Sequence, residues 1–308
     1  RRPHKPPTAG TDVFAVTNPT SSGTWTVTAG FPIDSSWYGG RSNSDKWYIA
    51  DRLRGSKLLR PNLTNIESSL TTAFDSNTQF ILPAVTGDYS DQISYCFKRA
   101  PGFMDVVAYE GTGSPQNISH NLGVVPEMII VKRRDATGMN WGVYNAISGN
   151  TKYQGLNDAN SDATSSTMWN NTTPTSSVFT VGSNIMSGQS GGNYVSYLFA
   201  TLDGISKVGT YTGTGNSVDV DCGFTEGARF VMIKRLDGGD PNGNWFVFDT
   251  VRGITESSSP WLALNSNSEE QTGSGNNFID PHSSGFSVDT SIFALNESGG
   301  TYLFLAIA

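Results

Sequence analysis

A chain that repeats itself has to fold as a set of like units, and this one carries the repeat openly. Residues 93–135 lie over residues 195–237 without a gap at a shift of 102, with twelve identities in forty-three columns. Tyr109-Glu-Gly-Thr-Gly113 answers Tyr211-Thr-Gly-Thr-Gly215, and Pro174-Thr-Ser-Ser-Val-Phe-Thr-Val181 answers Pro281-His-Ser-Ser-Gly-Phe-Ser-Val288. A weaker copy comes first, anchored by Trp47-Tyr-Ile-Ala-Asp-Arg-Leu-Arg-Gly55 against Trp245-Phe-Val-Phe-Asp-Thr-Val-Arg-Gly253. Fixed self-similarity of this kind marks repeated supersecondary units. It divides the chain into units at 11–101, 102–203 and 204–308, with residues 1–10 as an extended arm.

Within a unit the apolar residues alternate in short runs bounded by Gly, Asn, Asp and Ser, as in Phe230-Val-Met-Ile-Lys234, Trp245-Phe-Val-Phe248 and Gly285-Phe-Ser-Val288. Period-two runs between turn residues read as strands. The fold expected is therefore all-β: tandem β-sandwich units, jelly-roll-like, with Gly/Asn/Ser/Thr-rich loops. The one helix-like spacing, Leu59, Leu63, Ile66, Leu70 and Phe74, is interrupted by Pro61.

Recurrence also sorts the side chains. Trp47, Trp141 and Trp245 recur and are expected in the core, whereas Trp169 faces Asn276 in the next unit. Tyr38 aligns roughly with Lys132 and Lys234, taken as outward-facing strand ends. Non-recurring aromatics beside Asn and Asp suit stacking on sugar rings, which makes Tyr38 and Trp169 the candidate ligand contacts.

Charge and composition remove several function classes. A net charge of -7 argues against nucleic acid as a partner, since that needs a Lys/Arg surplus to displace counterions. No apolar run is long enough for membrane insertion by a helix. Arg1 to Pro7 is basic but has no hydrophobic segment after it, and the chain does not begin with Met, so we read it as cut or as part of a longer product. Cys96 and Cys222 stand at non-equivalent places and read as small buried hydrophobes.

Chemistry finds little support. Gly188-Gln-Ser-Gly-Gly192 matches G-x-S-x-G, but it precedes a repeated strand and Asn296 breaks the motif in the third unit, so a tight turn is expected. Asp158-Ala-Asn-Ser-Asp162 opens like a calcium loop, but Ala163 and Trp169 stand where that loop needs Gly and Glu. His4, His120 and His282 lack partners at zinc-ligand spacing. Glycoside hydrolysis needs two facing carboxylates. The candidates are Asp34, Asp51, Asp88, Asp91, Glu127 and Asp249, of which Asp51 and Asp249 recur with Arg54 and Arg252 three residues on and read as a repeated ion pair or turn lock. We expect no catalytic residue, no metal and no cofactor.

The segments GFMDVVAYEGTGS (102–114), ISHNLGVVPEMIIVKRRD (118–135), PTSSVFTVG (174–182) and SGGNYVSYLFA (190–200), with the repeated Trp…Asp…Arg-Gly pattern, resemble a repeat domain of tail-fibre-like virion proteins from tailed bacteriophages, notably marine phages and cyanophages. The resemblance implies a non-enzymatic virion protein on the tail or head surface. Its implied partners are other virion proteins, further copies of the chain with a homotrimer favoured, and a host-surface glycan. The rivals are a decoration protein touching only virion subunits and a polysaccharide-degrading tailspike.

Overall fold

The computed structural model describes residues 6–308 apart from 19–24, 43–46, 70–73, 75–76, 78, 83–90, 239–242, 273–274 and 276. The regular structure is nearly all β, in antiparallel sheets. Among the described residues the one α-helical turn is Phe293–Asn296, and no helix is long and apolar enough to cross a membrane.

Each unit builds one large sheet with the same strand order. In the second unit the order is Met104–Glu110, Asn193–Phe199, Met128–Arg133, Gly142–Asn145, Lys152–Gly155, Ala163–Thr164. The first unit runs Phe14–Thr17, Gln92–Phe97, Ser35–Gly40, Tyr48–Asp51, Lys57–Leu59, Ser68–Ser69. The third runs Ser206–Thr212, Thr301–Ile307, Phe230–Arg235, Phe246–Asp249, Leu262–Ala263. A small sheet covers one face of each: Trp25–Thr28 with Gln79–Leu82, Gln116–Ser119 with Val178–Val181, and Val218–Asp221 with Gly285–Val288 and Ile279–His282. Every unit is thus a sandwich of a large and a small sheet.

The other face of each large sheet meets its counterparts. One continuous core gathers Trp37, Trp47, Tyr95 and Phe97 from the first unit with Ile130, Trp141, Tyr197 and Phe199 from the second, and with Met232, Trp245, Leu305 and Ile307 from the third. Separate clusters fill the space between large and small sheets: around Trp25 and Tyr38, around Tyr144 and Trp169, and around Phe248 and Phe286. Alternation along a strand distributes its side chains between the two. Met128 and Ile130 point to the shared core while Ile129 and Val131 point to the unit's own. The central strands are therefore buried on both faces. Their near-continuous apolar runs, such as Met128-Ile-Ile-Val131, follow from having no wet side.

The units are related as by a threefold axis. Asp34 N to Phe97 O (2.8 Å), Glu127 N to Phe199 O (2.9 Å) and Arg229 N to Ile307 O (2.8 Å) are one bond in three copies. The joins between units repeat as well: Glu67 N donates to Arg134 O (2.9 Å), Asp162 N to Leu236 O (3.0 Å) and Glu270 N to Arg41 O (2.6 Å). First meets second, second meets third, and third returns to first. The ring closes where Gly10 packs against the Ala308 carbonyl so tightly that no side chain fits at that glycine.

Residues 1–5 of the expected arm lie outside the described residues. Pro6–Ala9 carry no strand, and Gly10–Asp12 form a single 3-10 turn capped by Asp12, which accepts from Thr8 N at 2.9 Å.

Candidate functional site

The most organised polar chemistry lies at the seams between units. The turn after Tyr48–Asp51 brings Arg54 back onto Asp51: Arg54 N donates to Asp51 Oδ1 (2.9 Å) and Arg54 Nε to Oδ2 (2.5 Å). Tyr197 of the second unit then donates its hydroxyl proton to the same Oδ2 (2.7 Å) and lies 3.1 Å from Arg54 Nη2. The third unit repeats the node toward the first, with Arg252 on Asp249 (2.5 Å) and Tyr95 Oη on Asp249 Oδ2 (2.9 Å). Both ion pairs are fully buried. Burial opposes the charge on Arg54, but Tyr197, Asp51 and Glu67 outweigh it and hold its pKa above the usual arginine value. Burial raises both tyrosines well above theirs, so the phenols stay protonated and donate.

The seam from second to third unit departs from this, and consistently. Where the other seams have Asp, Arg and Tyr, it has Asn145, Ser148 and Leu305. Asn145 Oδ1 still accepts the turn N–H of Ser148 (2.8 Å), while Asn145 Nδ2 donates to Gln154 Oε1 (2.7 Å) and Gln154 in turn donates to Asp162. Lone removal of one partner would strand a buried charge. Exchange of the whole set for Asn, Ser and Leu leaves no buried arginine and avoids that. Sequence reasoning recognised Asp51–Arg54 and Asp249–Arg252 as ion pairs but missed the tyrosines. The available signal was that Asp became Asn in one unit and Tyr became Leu in its neighbour.

The tryptophans close the seams at the opposite strand ends. Trp141 Nε1 donates to the Arg60 and Leu63 carbonyls of the first unit (3.1 and 3.2 Å), and Trp245 Nε1 to the Gly155 carbonyl of the second (2.8 Å). Trp47, Trp141 and Trp245 are all buried in the shared core. Lys132 and Lys234 were expected at solvated strand ends and are instead buried. Each ammonium sits near an indole ring, 5.9 Å from that of Trp141 and 5.8 Å from that of Trp245. Lys132 also donates to Thr64 O of the first unit (3.3 Å) and to Met139 O. Burial brings its pKa down to about 8.

Tyr38 and Trp169 do not face a ligand. Tyr38 is buried in the first unit's own cluster, stacked on Tyr48 at 5.3 Å. Trp169 is buried in the second unit's cluster, edge-on to Tyr144 at 5.8 Å, with its N–H on Lys152 O (2.9 Å). Among the residues whose burial is described, no Phe, Tyr or Trp is exposed. A stacking platform for sugar rings would need one.

The remaining candidates are committed to structure. Asp51 and Asp249 have no oxygen facing solvent. Glu127 accepts from Thr201 N (2.5 Å), Asp34 from Arg99 N (2.7 Å) and Asp91 from Ser42 N (2.5 Å); Asp88 lies outside the described residues. Asp158 accepts from Asn160 N (3.0 Å), and Asp162 lies 3.8 Å from Lys152 Nζ. Among the described residues no three His, Cys, Asp or Glu gather as a metal ion would require. The Gly188–Gly192 segment is a turn laced to Gly111 and Gly113, through Gly113 N to Gly188 O (2.8 Å) and Gly191 N to Gly111 O (2.9 Å). A cavity of about 280 Å³ beside Glu226, Thr250, Ile254, Pro281 and His282 holds no facing carboxylate pair.

What faces outward differs between the two ends of the strands. At one end lie Gly-, Ser- and Thr-rich turns, with Thr112, Ser114, Gln189, Ser190, Thr214, Asn216 and Ser298 exposed. At the other lie the inter-unit connections and three exposed aliphatics, Leu53, Ile147 and Val251.

No curated protein matches the chain. The family described as a domain of unknown function, DUF7483, matches residues 85–308, which hold the second and third units whole and the last strand of the first. With most of its length matched in this way, the chain belongs to the DUF7483 family.

Proposed function

We propose that this chain is a non-enzymatic virion structural protein of a tailed bacteriophage, tail-fibre-like, whose rigid ring presents polar loops at one end. The observation that carries the non-enzymatic part is the fate of the recurring carboxylates: Asp51 and Asp249 are fully buried and each neutralised by an arginine. The resemblance of the repeat motifs to those of tail-fibre-like proteins supports the virion part. The loops that would meet a host-surface glycan are the exposed Gly/Ser/Thr turns, which offer hydroxyls, amides and backbone groups.

A second reading has its own support. Without an exposed aromatic among the residues whose burial is described, the loops suit hydrogen-bonding to other virion subunits better than sugar stacking, which favours a decoration role. Threefold organisation, which the resemblance implies between chains, is already supplied within one chain.

The deciding experiment is to label the purified protein and incubate it with host cells before and after oxidation of their surface glycans by periodate. Binding that periodate abolishes supports glycan recognition. Binding to neither, with the protein found in the particle by immunogold labelling, supports decoration. Release of reducing sugar from host polysaccharide would overturn the non-enzymatic reading.

A further inference from the structure

Leu53, Ile147 and Val251 are 49%, 40% and 46% exposed. They occupy one position in three copies, two residues after the buried Asp51, Asn145 and Asp249. In each unit the side-chain oxygen of that residue accepts the N–H three residues on, at 2.9, 2.8 and 2.9 Å, which locks the turn and holds the intervening aliphatic outward. The flanking positions are free to vary, with Arg52, Ala146 and Thr250 before the aliphatic. The aliphatic itself is kept. A single exposed apolar residue means nothing, but the recurrence that marks Trp47, Trp141 and Trp245 as core applies equally here, and these three are not buried within the chain. In the second unit Val124 and Val125 are exposed as well, three and two residues before Glu127, whose carbonyl accepts from Ala146 N (2.9 Å).

We infer that this end of the ring is an interface, and that its occupant is a second copy of the chain stacked end to end. The three positions are related by rotation, so they stand at one height around the axis. A twofold axis perpendicular to a threefold one maps such a set onto an identical set. An apolar triad is therefore self-complementary, because aliphatic contacts have no direction and a closed twofold pair needs a patch that fits itself. A partner without threefold symmetry could use one of the three residues and would leave the other two without a role. Each contact is small, and three made together gain by avidity.

The test is sedimentation velocity of the purified full chain over a wide concentration range, for the wild type, for the triple variant L53D/I147D/V251D and for a loop-end control, T112D/S298D. The expected result is a two-chain species that grows with concentration in the wild type and the control and is lost in the triple variant, with thermal unfolding unchanged. If the aspartates disturb folding, L53T/I147T/V251T makes the same comparison with milder changes. A wild type that stays single at every concentration, or a folded triple variant that pairs as well as the wild type, would overturn the inference.

Discussion

Asp51 and Asp249 act where solvent does not reach, so their effect is read in stability. Replacing Asp51 by Asn leaves Arg54 charged and buried, and a urea titration is expected to show a loss of about 3–5 kcal/mol. The second-to-third seam indicates a repair. The variant D51N/L59Q/R54S/Y197L installs the neutral set found there and is expected to unfold at higher urea than D51N alone. Lys132 gives a pH signature of opposite sense to an ordinary ion pair. Folded, it loses its proton near 8; unfolded, it keeps it to about 10.4. The unfolded chain thus binds more protons between those values, and this group adds stability as pH rises from 8 to 10. K132M is expected to lack that slope in melts taken across the range. Burial also lifts the thiols of Cys96 and Cys222, to about 11 and about 12. Native protein should give no reaction with iodoacetamide at pH 8, and both thiols should react in urea. Tyr38 shows where reading residues from sequence fails. It was set against Lys132 and Lys234, but strand register puts Gly39 there, opposite Ile93 as Lys132 is opposite Val195. A slip of one residue turns a strand side chain to the other face, and Lys132 and Lys234 are themselves buried, so the outward reading of Tyr38 failed on both counts. Gly39 is small for a local reason: a Cβ there would lie 2.9 Å from the Trp47 ring.

Strands were legible wherever their ends are marked by turn chemistry. Gly285–Val288 has the expected limits, and Phe230–Arg235 differs by one residue. Less was legible about what each face touches. A sequence of alternating apolar residues does not say whether the polar-looking side meets water or protein: Lys132 is buried against a carbonyl of the first unit, and Lys234 and Gln154 against a carbonyl and an amide of their own units. The single helical turn Phe293–Asn296 left no periodic signal because it is shorter than one heptad. At this scale Trp245 carries the clearest test. W245F keeps most of the buried ring but removes the N–H bonded to Gly155 of the next unit, and is expected to cost about 1–2 kcal/mol in urea unfolding. W245A also opens a cavity in the shared core and is expected to cost about 3–5 kcal/mol. Equal costs would mean that the seam bond, and not packing, holds this strand.

At the scale of the molecule, the repetition of like units was legible in the sequence, and each large sheet is built within one unit. Their closure around one core was not, because a repeat period fixes the unit and not how its free face is covered. Closure has a direct consequence for connectivity. Lys98-Arg99-Ala100 and Ala200-Thr201-Leu202 link the units, and Ala308 stands to Gly10 as Lys98 does to Ala100, with one residue to bridge. A circular permutant that joins Ala308 to Ala9 and opens between the exposed Thr225 and Glu226 is expected to give the wild-type circular dichroism spectrum and a melting temperature within a few degrees, about 1 kcal/mol at this size. The shared core is the claim on which the rest depends, since it makes three sandwiches one cooperative body. Differential scanning calorimetry of the full chain, alongside residues 102–203 alone, tests it most directly. One transition, with calorimetric and van't Hoff enthalpies in agreement and no folded monomer of the excised unit, is the predicted result. Two or three separable transitions, with residues 102–203 melting cooperatively as a monomer, would contradict it.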